Sequence, residues 1–273
     1  MKFIKPFLKF FESVGDVAIS NKDIYTKQMT YSLSDKLFFL NELEGIDCIV
    51  DFGCADGFIL SEIEKINPDI KLIGYDLDKS MVELAKQKSK AFVTTNWNEV
   101  VSEIEGFENV VLNLSSVIHE VYSYSNSKQV NDFWNNKVFG GKFKYITIRD
   151  TIPSIKTSKE DWVNFEEDVR KVNKLANKKQ LDSFEKIWGI IDNNYRTFLH
   201  FLLKYQYVDN WSREVRENYL PISLEWLKTK IPSSYRIKYE KDFILDYLQQ
   251  SVKKDFGIDI KHSTHTKMII ERK

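Results

Sequence analysis

Between about residues 46 and 150, short apolar runs alternate with polar stretches of helical length. The runs are Cys48–Phe52, Lys71–Asp76, Ala91–Thr94, Asn109–Ser115 and Tyr145–Arg149. Five such segments predict a parallel sheet covered by helices, because each parallel crossover must carry the chain back over the sheet. The expected class is α/β, with its ligand outside the carboxyl ends of the strands. Residues 151–232 break the alternation. There Phe184, Trp188, Ile191, Tyr195, Phe198 and Leu202 advance by threes and fours and predict one continuous helical stripe. A shorter stripe through Trp162, Phe165, Val169 and Val172 precedes it, so the segment reads as a helical insertion or lid. Two further β-like runs, Tyr235–Tyr239 and Thr266–Glu271, flank a helical stretch over Asp242–Lys253, and residues 233–273 are expected to complete the sheet. Residues 1–45 read as an N-terminal helical cap, with Phe3, Phe7, Phe10 and Phe11 on one face. Lys2, Lys5, Lys9 and Glu12 cut its apolar stretch into pieces too short for an export signal. That helix either docks on its own domain or lies on a membrane surface, and no later run is long enough to span one.

Composition narrows the partners. The 273 residues carry 40 Lys plus Arg against 40 Asp plus Glu, so no global field draws the chain to nucleic acid or anionic lipid. With 42% apolar residues, ten Gly and five Pro, the chain has the means for a real core and is not a low-complexity sequence. The only cysteines, Cys48 and Cys54, support neither a disulfide scaffold nor a zinc site, and a cytoplasmic setting is the simpler expectation.

The most informative stretch is Asp51-Phe52-Gly53-Cys54-Ala55-Asp56-Gly57, followed by a helical run. A strand that stops at an acid and turns through two glycines into a helix lets backbone amides approach a ligand closely. A tight turn needs glycine even when nothing binds, so the second strand matters: it ends Gly74-Tyr75-Asp76, placing an acid where it can accept hydrogen bonds from both hydroxyls of a ribose. A dinucleotide site puts glycines as G-x-G-x-x-G around a pyrophosphate, whereas Asp51 and Asp56 in this turn would repel one. Such carboxylates suit a cofactor without phosphate and with a cationic amino acid portion, a description that S-adenosylmethionine (SAM) meets.

At these residues the sequence resembles the class I, Rossmann-like SAM-dependent methyltransferases: DFGCADG looks like their first motif and Gly74-Tyr75-Asp76 like their acid-bearing second strand. The resemblance implies a seven-stranded, mostly parallel sheet whose seventh strand inserts antiparallel to the sixth. It further implies that Gly53, Cys54, Ala55 and Gly57 line the methionine and ribose side of SAM, that Asp51 organises the amino group, that Asp76 holds the ribose and that Leu77 meets the adenine. Ala55 stands where many members have glycine. Asn96 is placed for the adenine amino group with Trp97 as a stacking neighbour, or else the two are a helix cap and a core aromatic. Asn113 and Ser115 of the fourth strand complete the expected cofactor set.

Past that strand lie the acceptor-facing candidates. The acid/Asn-Pro-Pro-aromatic signature of enzymes that methylate amino groups of bases or glutamine is missing. His119 is a candidate general base, or a histidine that holds neighbouring backbone. Glu120 could orient it; Tyr122 and Tyr124 either shape an acceptor pocket or pack beneath the insertion. Arg149 and Asp150 either recognise substrate or form an ion pair or cap. His262 and His265 lack partners for a metal, and none is expected. Arg170, Lys171, Lys174, Lys178 and Lys179 could track an RNA backbone, but nearby Glu160, Asp161, Glu166, Glu167 and Asp168 favour a solvated helix of mixed charge. The expected function is methyl transfer to an O or N nucleophile, with a small-molecule acceptor preferred. The alternatives are an RNA methyltransferase and a non-catalytic SAM- or nucleotide-binding module acting through the insertion.

Overall fold

The computed structural model describes residues 33–154 and 164–273. The phenylalanine stripe over Phe3–Phe11 and the start of the Trp162 stripe lie outside them. Seven strands form one sheet: β1 (Cys48–Phe52), β2 (Lys71–Tyr75), β3 (Phe92–Thr94), β4 (Val110–Ser115), β5 (Tyr145–Asp150), β6 (Tyr235–Phe243) and β7 (His265–Arg272). Their order is β3-β2-β1-β4-β5-β7-β6. The first five pair in parallel, and β7 runs antiparallel to both β5 and β6, the closing hairpin that the resemblance implied.

Strand residues alternate between two cores, as a period of two requires. Cys48, Val50 and Phe52 of β1 join Leu112, Leu114, Ile146 and Ile148 on one face. Ile49 joins Leu72, Val111 and Ile269 on the other, where Leu60 and Ile63 of helix α1 (Phe58–Ile66) cover it. On the same side lie Val82 and Ala85 of α2 (Lys79–Lys88). On the opposite face α3 (Trp97–Glu103) brings Val100 into the core. Burial on both faces is why these strands read as apolar runs rather than alternating ones.

The insertion has its own core. Two helices carry the long stripe, not one: after α4 (Ile118–Tyr124) and α5 (Phe165–Leu175) come α6 (Lys178–Trp188) and α7 (Tyr195–Lys204). Gly189, at φ 89 and ψ 168, ends α6, and the side chain of Asn194 caps α7 through the Thr197 amide at 2.9 Å. The apolar spacing runs on across this break because both helices face the same cluster, which includes Phe184, Ile191, Tyr195, Phe198 and Leu202. Not all of residues 151–232 belongs to this second core: Leu224 and Leu227 of α8 (Leu224–Lys230) return to the sheet core. Conversely Leu248, Val252 and Phe256 of α9 (Asp246–Phe256), between β6 and β7, complete the insertion's core. The helix expected from Asp242 begins four residues later because β6 extends to Phe243.

Candidate active site

Strand order reverses between β1 and β4, so the crevice outside their carboxyl ends is where an open α/β sheet binds a ligand. The β1 turn is built for close approach. Gly53 and Gly57 have φ of 77 and 76, and a Cβ on either would lie 2.8 Å from Val117 Cγ2 or from Ala85, respectively. The amides of Gly53 and Cys54 donate to the Tyr75 carbonyl at 2.7 and 3.1 Å, which ties the turn to β2. Among the described residues, two other than glycine adopt positive φ, Ala55 at 45 and Ser116 at 57, and both follow strands at this crevice. Strained backbone held by its surroundings concentrates at functional sites.

Asp51, 2% exposed, accepts from Asn113 Nδ2 at 2.8 Å, and Asn113 in turn accepts from the Thr147 hydroxyl at 2.9 Å. Its second carboxylate oxygen is buried without a partner. Burial pushes Asp51 up to about 6, against the Asn113 hydrogen bond and the charge of Lys36. Asp76 accepts from the Ala55 amide at 2.8 Å and the Asp78 amide at 2.9 Å, so the two acids bracket the turn. Burial raises Asp76 and these amides oppose the rise. Asp56 is engaged elsewhere: it caps Phe58 and pairs with Lys88.

The remaining cofactor candidates divide. Cys54 is buried beneath the turn, and the Ser115 hydroxyl is buried without a partner at the end of β4. Asn96 caps α3 through the Asn98 amide at 3.1 Å, while Trp97 packs edge-on against Phe52 and Tyr75 at 5.4 and 5.1 Å. That is the cap-and-core arrangement. Leu77 packs against the same cluster.

Next to this turn, between the sheet rim and the insertion, lies a cavity of about 720 Å³. His119, Glu120, Arg149 and Asp150 line it, as do Lys36, Arg213, Glu214 and Glu217. His119 Nδ1 lies 2.7 Å from Asp150 Oδ1, and the other Asp150 oxygen accepts from the Ile118 amide at 2.7 Å. Burial works against a charged His119, but the Asp150 charge and hydrogen bond outweigh it and raise the imidazole to about 9. Asp150 is also buried, yet His119 and the amides hold it down at about 2. On the far side of the ring, Nε2 lies 3.9 Å from Glu217.

Arg213 joins the acids of this wall, with Nη2 2.9 Å from Glu120 and Nε 2.8 Å from Glu217. Burial and the Glu217 charge push Glu120 up to about 7. One ligand atom each of His119, Glu120 and Glu217 lie within 4.8 Å of one another, a spacing a cation could use, and Arg213 supplies positive charge to both carboxylates. Tyr124 does not line the cavity; its hydroxyl donates to Glu217 at 2.6 Å. Tyr122 packs against Trp226 and accepts from the Trp134 indole at 3.1 Å, beneath the site. His265 makes a 2.7 Å contact with the Thr264 hydroxyl.

Sequence reasoning missed Lys36, Arg213, Glu214 and Glu217. Lys204 fixes the segment carrying the last two, donating from a fully buried ammonium to the carbonyls of Glu214 and Glu217 at 2.8 and 2.5 Å. In the insertion Lys171 pairs with Glu167 and Asp168, and Lys178 with Asp182. Among the described residues, no helix is long and apolar enough to cross a membrane.

No protein-family profile matches the chain. Carboxy-S-adenosyl-L-methionine synthase of Nautilia profundicola is 33% identical over 94 residues, 33% of this chain. The match spans 40% of the length of that curated relative. Among solved structures, the plantazolicin methyltransferase BamL, in complex with a triazolic desmethylPZN analog and SAH, aligns with a TM-score of 0.49 at 11% identity, covering 94% of this chain and 90% of that one. A SAM-dependent methyltransferase from Archaeoglobus fulgidus aligns at 0.47 and 13% identity, covering 92% of this chain and 100% of that one.

Proposed function

We propose that this chain, which has the Rossmann-like fold of the class I SAM-dependent methyltransferases, binds SAM over the β1 turn and methylates a small molecule held in the adjoining cavity. The observation that carries this reading is the Asp51 carboxylate, buried at the switch point with one oxygen unpartnered. A cationic amino group supplies the missing donor, and a pyrophosphate does not. Asp76 has lone pairs left after its two amide bonds, enough to accept from ribose hydroxyls. The partial likeness to a carboxy-SAM synthase supports the same cofactor.

Bound SAM would supply an electrophilic methyl group on a sulfonium. The chain's own task is then alignment, exclusion of water and removal of one proton from the acceptor. The buried Asp150 keeps His119 protonated through neutral pH, so His119 serves as a charged donor at Nε2. Glu120, poised near neutrality, is the better-matched base, fixed by Arg213, which Glu217 holds in turn. A small acceptor is favoured over RNA because the lysines Lys171 and Lys178 are paired with acids of their own helices and the cavity is walled by the insertion.

Calorimetry with SAM and with NAD tests the cofactor. SAM should bind and NAD should not, and Asp76→Asn should weaken SAM by about 10- to 100-fold through loss of charge-assisted hydrogen bonds. A folded Asp76→Asn protein with parental SAM affinity would remove the proposed placement. Transfer of labelled methyl groups from SAM to small-molecule, RNA and protein fractions of an extract then identifies the acceptor class, and label confined to RNA would overturn the small-molecule reading.

A further inference from the structure

Arg149, next to the end of β5, is 5% exposed. Its Nη1 donates to the Ser116 hydroxyl at 2.9 Å, but Nε and Nη2 meet neither an acceptor nor solvent. Burial works against the charge, yet a guanidinium stays protonated, and a buried charge lacking its counter-ion is costly enough to need a reason. The neighbouring acids do not supply one. Asp150 is committed to His119 and to the Ile118 and Thr151 amides, and Asp35 pairs with Lys267. The Phe243 ring, 5.8 Å away, offers only its face. His265 adds no negative charge, since burial and then Arg149 keep it neutral.

Lys36 stands near as a second cation, pressed down to about 8 by burial and by Arg149. Lys36 interacts with Asp51 and Asp56 of the β1 turn as well as with Asp150, and Arg149 with Asp150 and Asp35. Both line the cavity, Lys36 within electrostatic reach of the β1 turn carboxylates and Arg149 beside Ser116. Across the same cavity Glu120, Glu214 and Glu217 share Arg213. The wall thus carries two basic groups, Lys36 and Arg149, as well as a glutamate cluster around Arg213.

We propose that Arg149 anchors a carboxylate of the methyl acceptor, so that the substrate is a small carboxylic acid whose nucleophile points toward His119 and Glu120. The assignment of that carboxylate to the acceptor rests on the methyl-transfer reading. The presence of a carboxylate site at Arg149 does not. SAM carries one carboxylate of its own, which is the competing source, and the two are separable.

The test is calorimetric titration of the full chain with malonate, with malonamide as the uncharged control of similar shape. Malonate should bind and malonamide should not. Arg149→Met should weaken malonate at least about 30-fold, Arg149→Lys should recover part of the loss, and SAM affinity should stay within about threefold of the parent. Arg149→Gln, which keeps a donor for Ser116, replaces the methionine variant if that fails to fold. Equal binding of malonate and malonamide by the parent, or malonate binding indifferent to Arg149, overturns the inference. An Arg149→Met protein that loses SAM but keeps decarboxylated SAM overturns the acceptor assignment in favour of the cofactor's carboxylate. If the parent binds no SAM while malonate binding still depends on Arg149, the methyl-transfer reading fails and the carboxylate site stands.

Discussion

Asp150→Asn is the sharpest single perturbation of the site, because it removes a charge while keeping the shape of the side chain. In the parent, His119 rises from 6.5 to about 9 and Asp150 falls from 3.8 to about 2, against burial in both cases. At about 1.4 kcal/mol per pKa unit, the net shifts correspond to about 3 and about 2 kcal/mol, what the favourable contacts leave after opposing burial. Both shifts describe one ion pair and are not additive; Glu120 and Glu217 contribute to the histidine's rise, and the Thr151 and Ile118 amides to the fall of Asp150, so about 2 kcal/mol serves as the order of magnitude. The variant should therefore lower the His119 pKa by about two units. The assay is NMR titration of the imidazole Cε1 proton from pH 5 to 10, with His119→Gln assigning the resonance among four histidines. Since the folded His119 pKa lies above its unfolded value and that of Asp150 below its own, the pair's stabilisation is complete between about pH 4 and pH 6.5, fades as pH rises through about 9, and is lost on the acid side as pH falls through about 2. Asp150→Asn should then destabilise the protein at pH 6 far more than at pH 10. A His119 titration within half a unit of the parent, or an equal loss of stability at both pH values, would refute the ion-pair account.

The remaining predictions concern cofactor, fold and rate. SAM affinity should be flat above about pH 6 and fall roughly tenfold per unit below it, because burial raises Asp51 to that value and protonation removes the acceptor for the amino group; a flat calorimetric profile down to pH 4.5 would count against Asp51. Gly57→Ala places a Cβ 2.8 Å from the Cα and Cβ of Ala85 at a φ of 76, and should cost about 2 kcal/mol or more, lowering the melting temperature by at least about 4 °C. An unchanged melt would mean that the turn relaxes freely. With an acceptor in hand, kcat should rise through about pH 7 as Glu120 deprotonates and fall through about pH 9 as His119 loses its proton. Glu120→Gln should abolish the rising limb and lower kcat by about 100-fold or more, and retention of that limb would exclude Glu120 as the base.

Strands β1 to β5 were legible because burial on both faces leaves continuous apolar runs between turn residues. The end of β6 was not: Glu240, Lys241 and Asp242 lie on an edge strand, where polar side chains cost nothing and the apolar signal lapses. The break at Gly189 was hidden for the opposite reason, since two helices facing one core kept a shared apolar period. Of the site, the β1 turn and Asp76 were readable because local backbone demands dictate them. Arg213 and Glu217 were not. They reach Glu120 and Tyr124 from 93 residues away, and an Arg followed four residues later by a Glu reads in isolation as an ordinary surface pair on a helix.

The crossing of the two cores has a consequence for assembly. During synthesis the strands β1 to β5 emerge first, but β5 lacks its other neighbour until β7 appears, and Phe201 and Tyr205 wait for Phe256 to cover them. The nascent insertion must therefore carry an uncovered apolar flank on the ribosome, a situation in which chaperone capture competes with folding. The β1 turn and Asp76 lie in the part that can form early; the cavity beside them closes only once α9 and β7 have joined the insertion's core and the sheet.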